Sequence, residues 1–105
     1  MELRLSGNDE VMVISIYGEL NATNCDQLRE TVLQLSEKNI NKITIDLRQT
    51  TFVDSTGLGV LVGLHATLKK RKGHLLLANP QPSVKSTLDI TRLSALFGII
   101  SDELE

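Results

Sequence analysis

The hydroxyl of Ser55 is the group in this chain best placed to take a covalent charge. It lies in Val53-Asp54-Ser55-Thr56-Gly57-Leu58-Gly59-Val60-Leu61, after the strand-like run Ile43-Thr44-Ile45-Asp46-Leu47 and at the head of a helix-like run ending Lys69-Lys70-Arg71-Lys72-Gly73. A serine at such a junction can cap the helix, its side-chain oxygen accepting a backbone N–H left free in the first turn. The same hydroxyl, at the end of a strand, would face solvent. Phosphorylated, it would set about two negative charges beside the positive end of the helix dipole. From these residues alone an ordinary cap is the simpler reading, because caps are common. Thr56 is an alternative acceptor. Asp54 either satisfies local backbone N–H groups as a turn aspartate or shapes a surface that a kinase recognises.

Gly57, Gly59 and Gly63 add a second signal. A glycine inside a helix costs about 1 kcal/mol relative to alanine, so three along the first turns need a reason. Close packing of the helix on a sheet is one reason; a smooth surface that a partner's backbone can approach is the other. Gly57-x-Gly59 also matches part of a phosphate loop, yet GxGxxG is incomplete and no Gly-Lys-Ser/Thr follows. Glu19, Asp46 and Asp54 each follow or end a strand, and by converging they could hold magnesium as in a response-regulator receiver domain. That fold needs an adjacent acidic pair after its first strand, whereas here the strand ends Tyr17-Gly18-Glu19. His65 and His74 have no partner at metal-ligand spacing and read as structural, so no metal is expected. No Ser-His-Asp or Cys-His order accompanies a nucleophile turn, so neither catalysis nor a cofactor is expected. The Lys69–Lys72 run sits where cations favour a helix C-terminus, which is a simpler reading than a nucleic-acid patch.

Short alternating elements must position these groups. Val11–Tyr17 reads as a buried strand paired with Leu3–Leu5 through a turn at Gly7-Asn8-Asp9. Cys25, Leu28, Val32 and Leu35 recur at spacings of three and four, giving a helix that Asn21 or Thr23 can cap. Asn39-Ile40-Asn41 breaks the pattern before a strand at Lys42–Leu47. The next helix is predicted from about Thr56 to Lys72, with Leu58, Leu61, Leu64 or His65, and Leu68 inward and Gly73 as its stop. His74–Ala78 is another strand, and Pro82 opens a short helix. Leu96–Ile100 is a last short strand or a strand–helix junction. Two opening strands followed by strand–helix alternation predict a mixed sheet, largely parallel in its centre.

With 105 residues the chain is expected to form one domain, residues 1–105, with one core. Hydrophobic residues at 41% argue against disorder, and no apolar run approaches the ~20 residues that span a bilayer. The start, Met1-Glu2-Leu3-Arg4, does not read as a signal peptide, and the lone Cys25 rules out an internal disulfide. The cytoplasm is therefore expected. A net charge of −2 gives no broad attraction to nucleic acid or an anionic membrane, and neither is expected as a direct partner.

The string DSTGLGVLVG, Asp54 to Gly63, resembles the signature of the anti-sigma factor antagonists, the bacterial proteins that define the STAS domain. Gly18-Glu19-Leu20 before a polar helix start is similar to that family too. So is Leu88-Asp89-Ile90-Thr91-Arg92-Leu93 followed by Leu96-Phe97-Gly98-Ile99. The resemblance covers essentially the whole chain and is nearest to the general-stress (sigma-B) type. It implies a STAS-like single α/β domain, a mixed central sheet of about four to five strands with three to four helices. It also reverses the reading of Ser55, from cap to phosphoacceptor. The partner-binding surface it implies comprises Asn21, Asp54, Ser55, Thr56, Gly57, Leu58 and Gly59. The implied partners are an anti-sigma factor that is also a serine kinase and a serine phosphatase that resets the protein. The chain itself would be a non-enzymatic monomer or weak homodimer. Unmodified, it would bind the anti-sigma factor and release a sigma factor; phosphorylation of Ser55 would switch binding off. The alternative is a non-catalytic STAS scaffold or nucleotide-sensing module in a larger signalling assembly. Asn21 stands where family members often carry Asp.

Overall fold

The structure, a computed structural model, describes residues 1–101. Strand β1 (Glu2–Gly7) runs antiparallel to β2 (Val11–Leu20) through the expected turn. Asn8 closes that turn by accepting the N–H groups of Glu10 and Val11 on its side-chain oxygen. Gly7 is required there: its φ is +125°, and a Cβ would fall 2.3 Å from the Val11 carbonyl oxygen. Helix α1 (Cys25–Glu37) leads to β3 (Lys42–Asp46), β4 (Thr50–Val53) and helix α2 (Ser55–Lys70). Then come β5 (His74–Ala78), α3 (Pro82–Ile90), a 3₁₀ turn at Leu93–Ala95, and β6 (Gly98–Ile100).

The sheet order is β1-β2-β3-β5-β6, antiparallel at β1–β2 and parallel from β2 onward. Its register puts Ile14, Ile45 and Leu77 in one row and Ile43 beside Leu75, all fully buried. Leu28 and Val32 of α1 and Leu61, Leu64 and Leu68 of α2 complete the same core, with α1 packed on α2 and α2 on β5. Apolar spacing of three and four in the helices meets alternation in the strands, so each element buries one face.

The fold class is as expected, with six strands and three α-helices among the described residues. The extra strand is β4, which pairs with the end of β2 where β3 leaves off. Its signal is hidden by a bulge: Gly18 pairs with Thr50 and the next residue, Glu19, with Phe52, leaving Thr51 as the extra residue. Thr50 and Val53 are buried while Thr51 and Phe52 are exposed, so a period of two is never visible. Both long helices end in Schellman turns with a non-glycine residue at positive φ, Asn39 after α1 and Lys72 after α2. Helix α2 therefore stops at Lys70, two residues before the expected end. Gly73 follows the left-handed residue, at a place where a Cβ would lie 2.0 Å from the Asn41 carbonyl oxygen.

Candidate functional site

Two loops meet at the C-terminal end of the sheet: residues 21–24, between β2 and α1, and Asp54, between β4 and α2. Asp54 joins them. Its Oδ1 accepts the Gly57 N–H at 2.7 Å, capping α2, and its Oδ2 accepts the Ala22 N–H at 3.1 Å. Its own N–H donates to the Leu20 carbonyl, and its carbonyl accepts the Leu58 N–H. The helix cap expected of Ser55 thus belongs to Asp54, and Ser55 is the first helical residue. The correction has a simple cause: the strand ends one residue earlier than a serine cap requires, so the aspartate occupies the extended cap position, with ψ near 179°.

Ser55 is left exposed, and its hydroxyl has no hydrogen-bond partner among the described residues. Thr56 and Gly59 are exposed beside it, whereas Gly57 and Leu58 are buried. Gly57 sits against the sheet, where a Cβ would lie 2.8 Å from the Leu20 carbonyl oxygen; Gly59 and Gly63 face open space. The glycines therefore divide between both readings. Gly57 serves close packing, and Gly59 and Gly63 form a smooth outer surface. They floor a groove of about 450 Å³ between α1 and α2, walled by Arg29, Leu33, Leu64 and Thr56.

The expected caps of α1 are also revised. Asn24 precedes the helix, and its side chain turns back to bond the Asn21 N–H and the Glu19 carbonyl. Asn21 supports the helix start by its carbonyl, which accepts the Cys25 N–H at 2.9 Å. The Asn21 side chain is occupied locally: Oδ1 accepts from the Thr23 N–H and hydroxyl, and Nδ2 reaches Glu19 Oε1 at 3.3 Å. Neither side chain is free to cap.

Other candidates fall outside this site. Among the described residues no group of three or more His, Cys, Asp and Glu side chains is placed to hold a metal ion. Lys69 and Lys70 close α2, and Arg71 folds back onto the hydroxyl of the buried Ser36 at 2.8 Å. His65 lies edge-on to Phe97 at 5.4 Å, and Cys25 is buried. No helix of the described residues is long and apolar enough to cross a membrane.

Among the described residues, a six-stranded mixed sheet with an exposed serine at the head of α2 makes a small α/β domain. The chain belongs to the STAS domain family, whose sequence profile matches residues 2–105. It is 34% identical over 92 residues to the anti-sigma-B factor antagonist of Bacillus subtilis, spanning 88% of this chain and 84% of that one. The anti-sigma factor antagonist SpoIIAA in its unphosphorylated form superposes with a TM-score of 0.85 at 23% identity, over 98% of this chain and 90% of the other. The phosphorylated form of SpoIIAA, from Bacillus, superposes at 0.78 and 22%, over 98% and 93%. These two likenesses are of fold. Sequence reasoning missed Arg29, Leu33 and Phe52 near the site, because none belongs to the serine motif.

Proposed function

We propose that the chain is an anti-sigma factor antagonist controlled by phosphorylation of Ser55. The observation that carries this reading is the division of labour at α2: Asp54 caps the helix, leaving the Ser55 hydroxyl exposed and unengaged. The kinship with an anti-sigma-B factor antagonist supports the choice of partner. Unmodified, the surface around Asn21, Ser55, Thr56 and Gly59 docks onto an anti-sigma factor, which releases its sigma factor to RNA polymerase. Asp54, Gly57 and Leu58 hold that surface from beneath. The action belongs in the cytoplasm, where the polymerase is.

The anti-sigma factor acts as a serine kinase. Its bound ATP and Mg²⁺ supply the phosphoryl group: the Ser55 Oγ–P bond forms, the bond from the γ-phosphorus to ADP breaks, and the hydroxyl proton leaves. This chain contributes the acceptor and its placement, not turnover. The phosphate meets the Ser55 and Thr56 N–H groups in the first turn of α2, an interaction worth about 0.3–1 kcal/mol when exposed. Against a desolvated partner surface the same dianion costs several kcal/mol. Each ~1.4 kcal/mol is tenfold in affinity, so docking is lost while the fold is kept. A serine phosphatase reverses the step.

The test is intact mass with site mapping after incubation with the anti-sigma kinase and ATP, paired with affinity measurements. One phosphate on Ser55, none on Ser55→Ala, tight binding by Ser55→Ala and weak binding by Ser55→Asp are expected. Equal binding by the two variants rules out a charge switch here.

A further inference from the structure

We infer that Phe52 is the apolar anchor by which the anti-sigma kinase holds this protein while Ser55 is phosphorylated. The inference rests on the function proposed above and names the side chain that supplies affinity to the same surface. Phe52 is one of two phenylalanines; Phe97 is 3% exposed, whereas Phe52 is 52% exposed. Its exposure is built in. The bulge at Thr51 lets Thr50 turn inward, where its hydroxyl donates to the Ile16 carbonyl at 2.9 Å, and lets Val53 enter the core. Phe52 stays outside, paired with the exposed Glu19. Bulges of this kind re-aim side chains next to functional sites.

The occupant follows from the acceptor's setting. Ser55 is already helical, and the first turn is tied down by Asp54 and by the close fit of Gly57 on Leu20. The segment cannot be drawn into a kinase cleft as an extended peptide without breaking that cap. The kinase must therefore read a folded surface. Three residues of chain put the Cα atoms of Phe52 and Ser55 within about 11 Å of each other. A standard partner face of about 800 Å², roughly 28 Å on a side, covers both. Aromatic side chains are enriched at interface centres, and Phe52 is a large apolar group, 52% exposed, within that reach of the acceptor. The partner surface it fits is an apolar pocket on the kinase beside its nucleotide site.

The experiment measures steady-state phosphorylation of Ser55 and binding of the unphosphorylated chain for wild type, Phe52→Ala and Phe52→Tyr. Phe52→Ala is expected to raise both KM and Kd about tenfold or more with kcat within about twofold, and Phe52→Tyr to restore them. Thermal melts of both variants should match wild type, because the ring is outside the core. KM and Kd within about twofold of wild type in Phe52→Ala, or a loss confined to kcat, overturn the anchor while leaving the Ser55 switch intact. No phosphate on wild-type Ser55 overturns the switch itself, and the anchor with it.

Discussion

Removing the Asp54 carboxylate should cost far more stability than removing the neighbouring Ser55 hydroxyl. In Asp54→Ala, the Gly57 N–H loses its 2.7 Å acceptor and the Ala22 N–H its 3.1 Å acceptor. Loss of a helix N-cap costs about 0.5–2 kcal/mol, and a hydrogen bond to a charged group contributes about 1.5–3. Ala22 is exposed and water can replace the second bond, so the sum is discounted to about 2–3 kcal/mol. At roughly 4 °C per kcal/mol for a domain of this size, the melting temperature should fall by about 8–12 °C. Ser55→Ala removes no capping bond and should stay within about 0.5 kcal/mol of wild type. Asp54→Asn keeps a cap acceptor and should fall between the two. Equilibrium unfolding in urea, with unchanged slopes, reads all three. A Ser55→Ala loss equal to that of Asp54→Ala would return the cap to the serine and refute the reasoning.

The glycines of α2 should respond in opposite directions. Gly57→Ala must fit a Cβ 2.8 Å from the Leu20 carbonyl oxygen and should cost about 1–3 kcal/mol in urea unfolding; Gly59→Ala meets open space and should gain about 0.5–1. At the site, Asn21→Asp would place a carboxylate beside Glu19 and close to the modified serine. The phosphoform of wild type should therefore outlast that of Asn21→Asp, followed as phosphorylated mass against time. A pH effect is expected at the end of α3, where the Asp89 carboxyl is held below its usual range, first by the Ser94 hydroxyl and then by Lys85. A depressed carboxylate stabilises the folded state above its unfolded pKa, near pH 4, and that contribution disappears as pH falls through the folded value. An NMR titration of Ser94→Ala should show the Asp89 value moving upward, and no movement would remove Ser94 as the cause.

Much of this was legible because local chemistry and tertiary structure agree. The Gly7-Asn8-Asp9 turn could be read from residue types, since Asn8 closes it with its own side chain. The inward faces of α1 and α2 follow from leucines and valines at helical spacing. Strand β4 could not be read, because its bulge erases alternation over only four residues. Nor could the helix α2 cap: Asp54 and Ser55 are both good cap residues, and the choice depends on where β4 ends. The Arg71–Ser36 link joins residues 35 apart in sequence, which no local pattern reports. Phe52 belongs to no sequence motif, and only its 52% exposure in a strand without alternation shows it facing outward.

The single-residue offset between the cap and the proposed acceptor decides whether phosphorylation here can be a clean switch. Were Ser55 the cap, its oxygen would have to serve the first-turn N–H and the phosphate ester together, and disturbing that cap puts about 0.5–2 kcal/mol of stability at risk. Such a loss is a sizeable fraction of the 5–15 kcal/mol that holds a small domain together. With Asp54 as cap, the ester oxygen has no structural duty. The phosphate adds a favourable helix-terminus interaction in the free protein, so its unfavourable free energy falls almost wholly on the bound state. A difference between bound and free states is the only quantity that changes an affinity. A charge one residue past the cap would therefore alter partner binding with little disturbance of the fold.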